Sequence, residues 1–201
     1  MDHEAQTMPE NLEGLEIESA LDTPISRVLA AAEEGDLQTL VAVLDEHEVS
    51  INEQGEDGDT TMHIACLYGH LDIVQECLRR AAQVGATDED GSTPLHDACA
   101  GGHYEIAKLL LENDAQVDAY DTDGDSPLHL AANGGHAHVV QLLLCHTGPE
   151  RSAAILSKQN ANGYTPADLA ENPELMAQLR LHDGNRLQEH ASVAAFKKRR
   201  A

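Results

Sequence analysis

A repeat of 33 residues constrains the fold of this chain more than any other feature of its sequence. Three stretches with the same residue pattern begin at Gly58, Gly91 and Gly124, which lie 33 residues apart. A fourth begins at Gly163, 39 residues on, which indicates six inserted residues that we place within 147–159. A degenerate leading copy, around 30–37, fits the same frame with a 34-residue offset. A period of this size predicts a solenoid, in which each unit buries its apolar faces against its neighbours.

Each copy predicts a turn followed by two antiparallel helices. Asp-Gly pairs at 57–58, 90–91 and 123–124 indicate tight turns. The residue before the first helix carries a hydroxyl that can cap it: Thr60, Thr93, Ser126 and Thr165. A glycine that can adopt the left-handed conformation follows the first helix: Gly69, Gly102 and Gly135. The second helix is apolar, and we expect Leu110 to be one of its stacking residues.

The residues that open each copy carry a family resemblance. A hydroxyl residue, proline, leucine and histidine stand in order at Thr93–His96 and Ser126–His129, and with substitutions at 60–63 and 165–168. With its period, this pattern resembles the ankyrin repeat. The resemblance implies an all-α ankyrin-repeat solenoid of about four to five units, each a turn or β-hairpin plus two antiparallel helices. The expected units lie near residues 24–56, 57–89, 90–122, 123–159 and 160–181.

The two segments outside the repeats differ from the repeats in charge. Residues 1–23 form an acidic tail that we expect to be mostly disordered, and 182–201 form a second tail with a basic end, Lys197–Arg200. The whole chain carries a net charge of −24. Because phosphate backbones and anionic membrane surfaces are bound by Lys and Arg, this charge disfavours nucleic acid and membrane as direct partners.

The histidines and cysteines raise the question of a metal site. Six histidines recur in phase: His63, His96, His129, His70, His103 and His136. Ligands must converge on one ion, whereas residues on successive stacked helices lie about 10 Å apart. The resemblance instead implies that these histidines form hydrogen bonds within and between units. We expect the four cysteines to be small buried residues. We expect no metal and no cofactor, and no motif in the sequence predicts an enzyme.

Ankyrin repeat proteins usually bind their targets through a concave face, which the turn tips and the exposed side of the first helices form. The resemblance, applied by phase, gives these predicted protein-binding residues: Glu56, Asp57, Asp59, Leu67, Tyr68, Glu89, Asp90, Asp123, Asp125 and Tyr164. Seven carboxylates beside an apolar anchor suit a basic protein segment. An alternative is that the acids serve the turns, which explains Asp57, Asp90 and Asp123 better than the others.

These features predict a non-catalytic, monomeric protein-binding module. One hypothesis is an escort or chaperone of a basic client, such as a ribosomal protein or a histone. The alternatives are a scaffold or adaptor, or a regulatory subunit of a larger enzyme or signalling complex. No signal peptide or long apolar run is visible, so we expect a cytoplasmic or nuclear location. The spacing of Met8, Leu12, Leu15 and Ile17 is typical of export signals, and Lys197–Arg200 of a short import signal.

Overall fold

The computed structural model describes residues 23–181, except for the side chains of Pro149 and Glu150. Nearly all of the predicted acidic tail, 1–23, lies outside the described residues, together with its export-like spacing. The C-terminal tail, 182–201, and its basic end lie outside them as well.

The described chain is a series of short helices. Their bounds are α1 Pro24–Glu34, α2 Leu37–Glu46, α3 Thr61–Tyr68, α4 Leu71–Arg79, α5 Pro94–Ala100, α6 Tyr104–Glu112, α7 Pro127–Asn133, α8 Ala137–Ser157, α9 Pro166–Leu169 and α10, residues 173–181. Odd-numbered helices contact one another in order from α1 to α9, while α4, α6 and α8 do the same in a second layer. The only β pairing within residues 23–181 is an isolated bridge between Gln54 and Thr60. The predicted all-α solenoid is therefore confirmed.

The first helices of the three central units, α3, α5 and α7, begin with the same capping arrangement. In α5 the Thr93 N–H donates to His96 Nδ1 at 3.0 Å. Because Nδ1 accepts, the ring proton is on Nε2, which donates to the Asp125 carbonyl in the next unit at 3.3 Å. Equivalent bonds join His63 to Ser92 and His129 to Lys158. The predicted hydroxyl residues close a capping box at each of these helix starts.

A second set of histidines points the other way along the solenoid. The Nε2 atoms of His70, His103 and His136 donate to the carbonyls of Glu33, Leu67 and Ala100, at 2.9, 3.0 and 3.0 Å. Each acceptor lies in the preceding unit. The expected hydrogen bonds within and between units are confirmed, and imidazoles tie each central unit to both neighbours.

Aliphatic side chains form the core between the two helix layers. Leu110, in α6, is fully buried, as the repeat frame predicts. Cys66, Cys77 and Cys99 are buried, but Cys145 is exposed, so the expectation that all four cysteines are buried is wrong. Cys145 lies two residues after buried Leu143, on the side of α8 that faces away from the core.

The longest helix contains the inserted residues. Gly148, at φ 66° and ψ 172°, breaks α8 into two pieces. Ser152 Oγ bonds to the carbonyls of Leu144 and Gly148, at 3.1 and 2.6 Å, and so joins the two pieces. Arg151 pairs with Asp118 of the preceding unit at 2.7 Å. The insertion is therefore a helical extension that is attached to its neighbour.

Candidate protein-binding site

The turn tips of four units meet in one row. We call residues 55–59, 88–92, 121–125 and 160–164 the tip row. Main-chain bonds connect successive tips: Glu89 N donates to the Asp57 carbonyl at 3.2 Å, Thr122 N to that of Asp90 at 2.8 Å, and Ala161 N to that of Asp123 at 2.7 Å. The structure thus brings the predicted acidic residues, which are far apart in sequence, onto one continuous edge.

The charge of the tip row is entirely negative. It contains nine carboxylates and no Lys or Arg: Glu56, Asp57, Asp59, Asp88, Glu89, Asp90, Asp121, Asp123 and Asp125. Several of the cations within 23–181 form pairs elsewhere. Arg80 pairs with Glu76 at 2.6 Å and with Asp45 at 2.8 Å, and Arg180 with Asp168 at 3.3 Å. Lys158 Nζ lies over the ring of Tyr120, 5.3 Å from its centre and one residue before the third tip. Within the described residues, no Lys or Arg forms an ion pair with a carboxylate of the tip row.

Two of these carboxylates stabilise the turns. Asp88 Oδ1 accepts a bond from Ser92 N at 2.7 Å, and Asp121 Oδ1 accepts one from Asp125 N at 2.7 Å. Asn160 fills the same position in the last turn and accepts from Tyr164 N at 3.0 Å. Turn chemistry thus accounts for Asp88 and Asp121, which are not among the predicted site residues.

The predicted site residues at the turn apices behave differently. Asp57, Asp90 and Asp123 contribute their carbonyls to the next tip, while their side chains make no hydrogen bond within the described residues. Turn stabilisation by the side chain therefore does not explain these three acids. Asp125 is partly used by the fold, because its Oδ1 accepts a bond from Asn160 Nδ2 at 2.8 Å.

Repulsion within the tip row is visible at Asp59. Burial raises the pKa of this half-buried carboxyl. His63 lowers that pKa, and the charges of Asp88, Asp57 and Asp90 each raise it by less than His63 lowers it. Burial likewise raises the pKa of Asp121. A cation on this edge would relieve that repulsion.

The predicted apolar anchor lies at the other end of the first helix. Leu67 and Tyr68 close α3 and are 44% and 47% exposed. From the length of this helix, they lie about 12 Å along its axis from the tip. The Tyr68 hydroxyl donates to Glu33 Oε1 at 2.9 Å, and its ring stacks on His70. Tyr68 is therefore held in one orientation. Tyr164, 52% exposed, lies in the tip row itself.

Sequence reasoning missed one residue on the first helices. Asp97 stands in α5 where the other copies have Ile64, Leu130 and Leu169. Its Oδ2 atom is buried and has no hydrogen-bond partner in the part of the chain that the structure describes. Burial, and then the charges of Asp59 and Asp88, raise the pKa of Asp97 to about 8. The sequence does contain a signal for Asp97, because it is the one charged residue among those four equivalent positions of the repeat.

The next features are the potential metal ligands and the lengths of the described helices. Within 23–181, no group of three or more His, Cys, Asp or Glu residues is placed to hold a metal ion. The capping histidines use both ring nitrogens in hydrogen bonds. None of the helices that the structure describes has the length and apolar character to cross a membrane.

Comparison with known proteins agrees with this geometry. A family model described as ankyrin repeats in three copies matches residues 28–121, and one described as ankyrin repeats in many copies matches 110–170. The chain belongs to the ankyrin repeat family. An ankyrin repeat chain of this kind is a protein–protein interaction module, and the family is generally non-enzymatic.

Two mammalian ankyrin repeat proteins are similar to one part of this chain. Human ankyrin repeat domain-containing protein 49 is 41% identical over 63 residues, and its Bos taurus counterpart is 38% identical over 63 residues. Each match covers 31% of this ankyrin repeat chain and 26% of the relative. The chain therefore matches about a quarter of the length of these relatives.

Proposed function

We propose that this ankyrin repeat protein binds a basic segment of a protein partner along the tip row. The observation that carries the proposal is a continuous edge of nine carboxylates with no basic residue. Three of these side chains, on Asp57, Asp90 and Asp123, make no hydrogen bond within the described residues, so a ligand can engage them without disturbing a turn. Lys and Arg side chains are the groups that complement such an edge.

Leu67 and Tyr68 supply the apolar contact in this proposal. A partner that lies across the first helices reaches both the tip row and Tyr68. Because Tyr68 is already held by Glu33 and His70, little side-chain entropy is lost when the partner covers it. Acidic rim residues set the association rate, while a covered aromatic residue slows dissociation.

We favour an escort or chaperone of a basic client, in the cytoplasm or the nucleus, over a scaffold or regulatory subunit. The net charge of −24 suits a protein that shields positive charge on another chain. A scaffold would need a second partner surface, whereas the acidic residues proposed here form a single edge. Partners captured from native extract should accordingly have high isoelectric points.

Charge reversal tests the acidic edge. Asp57, Asp90 and Asp123 are changed together to Lys, and binding of a fluorescein-labelled oligo-arginine peptide to the full chain is followed by stopped flow. We expect slower association and a weaker dependence of the rate on salt. Glu105, Glu112 and Glu171, which are exposed and lie outside the tip row, are changed to Lys as the charge-matched control. Equal effects of the two triple variants would contradict the proposal.

Tyr68→Ala tests the anchor with a protein client captured from extract. We expect faster dissociation and a loss of about 2 kcal/mol or more in binding free energy. Tyr104→Ala is the control, because Tyr104 is 39% exposed but begins the second-layer helix α6. If both variants release the client at the wild-type rate, Tyr68 is not an anchor.

A further inference from the structure

The central unit has an unusual first helix. Residues three and four positions apart lie on the same face of a helix, so Asp97 shares a face of α5 with Ala100 and Gly101. The corresponding residues of α3 are Ile64, Leu67 and Tyr68, and those of α7 are Leu130, Asn133 and Gly134. Gly101, like Gly134 after α7, lies against a histidine ring, so Ala100 is the small residue that leads to the carboxyl group. Of the three helices, α5 alone combines such a residue with a carboxyl group one turn earlier.

The carboxyl group of Asp97 is poorly accommodated by the fold. Its Oδ2 atom is buried without a hydrogen-bond partner in the described residues, and the neighbouring charges, on Asp59 and Asp88, are negative. The thiols of Cys66 and Cys99 are the other titratable groups beside it, and burial with the nearby Asp97 charge raises the pKa of both. A buried acceptor that lacks a donor is destabilising. Leucine, which α7 carries at this position, would avoid that cost.

We propose that Asp97 is the anchor for one lysine or arginine side chain of the partner, whose aliphatic stem lies along Ala100. This inference rests on the proposed function, because the same basic segment supplies the side chain. Asp97 is partly exposed although its Oδ2 atom is buried, so an ammonium or guanidinium group can pair with the exposed side of the carboxyl group and offset the charges of Asp59 and Asp88. Conflicts between a residue and its fold concentrate at functional sites.

The raised pKa of Asp97 supplies a readout that ordinary surface binding would not produce. At pH 7 a carboxyl group with a pKa of about 8 holds its proton for most of the time. A cation bound beside it favours the ionised form, so binding releases a proton. Calorimetry in buffers with different ionisation enthalpies measures that release.

The main test compares two single Asp→Asn variants in the full chain, with labelled oligo-arginine and oligo-lysine peptides as probes. Asp97→Asn should weaken binding tenfold or more relative to Asp114→Asn and should abolish the proton release. Asp114 is a suitable control because it is exposed, follows α6, and has a positive φ of 65° that Asn tolerates. If the two variants bind equally, or if proton release persists in Asp97→Asn, the proposal is overturned.

Asp97→Leu distinguishes a loss of binding from a loss of folding. It should raise the urea midpoint of unfolding, because it restores the apolar column, and still weaken peptide binding. Weaker folding together with unchanged binding would overturn the proposal. If charge reversal of the tip row weakens binding while the Asp97 variants match their control, only this anchor fails and the proposed function stands.

The basic end of the chain itself is a competing occupant. Replacing Lys197–Arg200 with Ala leaves peptide affinity unchanged if the site awaits a partner. Tighter peptide binding in that variant, dependent on Asp97, would instead assign the site to the chain's own end and overturn the proposal.

Discussion

His96 Nε2 donates a hydrogen bond to the main-chain carbonyl of Asp125, 3.3 Å away in the next unit. The same ring accepts the Thr93 N–H through Nδ1, so the imidazole must be neutral to make both bonds. Burial lowers the pKa of His96 to about 4 and also lowers those of His63 and His129. Protonation of Nδ1 therefore breaks the bond that caps the first helix of the same unit, and it places a charge on a buried ring.

The first prediction is that the solenoid is destabilised by mild acid. The unfolded chain binds protons at His96 below about pH 6.5, whereas the folded chain resists until about pH 4, so stability falls as the pH is lowered through this window. His96 alone should contribute a loss of about 3 kcal/mol. Urea unfolding at several pH values measures the slope. His96→Asn should reduce it, and an unchanged slope would contradict the assignment.

The second prediction concerns Asp97 and has the opposite sign. Its pKa is raised to about 8 in the folded chain, above the ordinary value of 3.8, so the folded state keeps a proton that the unfolded state loses. Stability falls as the pH rises through this range. Asp97→Leu should stabilise the protein by about 1–3 kcal/mol at pH 8.5 and by less at pH 4.5. A gain that does not depend on pH would argue against the buried carboxyl.

The third prediction distinguishes two glycines. Gly101 has a helical φ of −76°, but a Cβ there would collide with the His103 ring and lie 3.0 Å from the Leu67 carbonyl oxygen. Gly101→Ala should therefore break the His103–Leu67 bond and cost about 1–2 kcal/mol, despite the better helix propensity of Ala. At Gly85 a Cβ would meet nothing within 4 Å. Gly85→Ala should be neutral or stabilising by about 0.4–1 kcal/mol in the same urea titration.

The fourth prediction tests the repeat frame. Leu110 is fully buried between stacked units, so Leu110→Ala should cost about 2–5 kcal/mol. Glu89 is exposed at a turn apex, and Glu89→Ala should lie within about 0.5 kcal/mol of the wild-type stability. Chemical denaturation of the two variants gives both values. Similar losses of unfolding free energy in the two variants would mean that the buried or the exposed position of one of these residues is assigned wrongly.

The sequence predicted the architecture because the repeat marks the same structural events in each copy. Pro94 and Pro127 begin helices as their position implies, and the six in-phase histidines make the expected bonds. The helical extension in α8 was not predicted, since Gly148 followed by proline is a usual helix-ending signal. Only the tertiary contacts, such as the Arg151–Asp118 pair, explain why helix resumes after that break.

The candidate site was predicted less fully, for a physical reason. The position of a residue in the repeat shows that its side chain lies at a turn. It does not show whether that side chain forms a hydrogen bond within the turn. Asp88 and Asp90 belong to one turn, yet only the Asp88 side chain accepts a hydrogen bond from the backbone of that turn, from the N–H of Ser92. The repeat marks Asp97 as the one charged residue at its position, but the cost there depends on the burial of a single oxygen, which the repeat does not reveal.

The bonds between the apices of successive tips join main-chain atoms, at Asp57 and Glu89, at Asp90 and Thr122, and at Asp123 and Ala161. At the apices, the contact between units thus uses backbone groups that every amino acid except proline can provide. Side chains at these apices are interchangeable as far as assembly is concerned. Substitutions at the apices can therefore change which partners the tip row binds, while the solenoid keeps its fold.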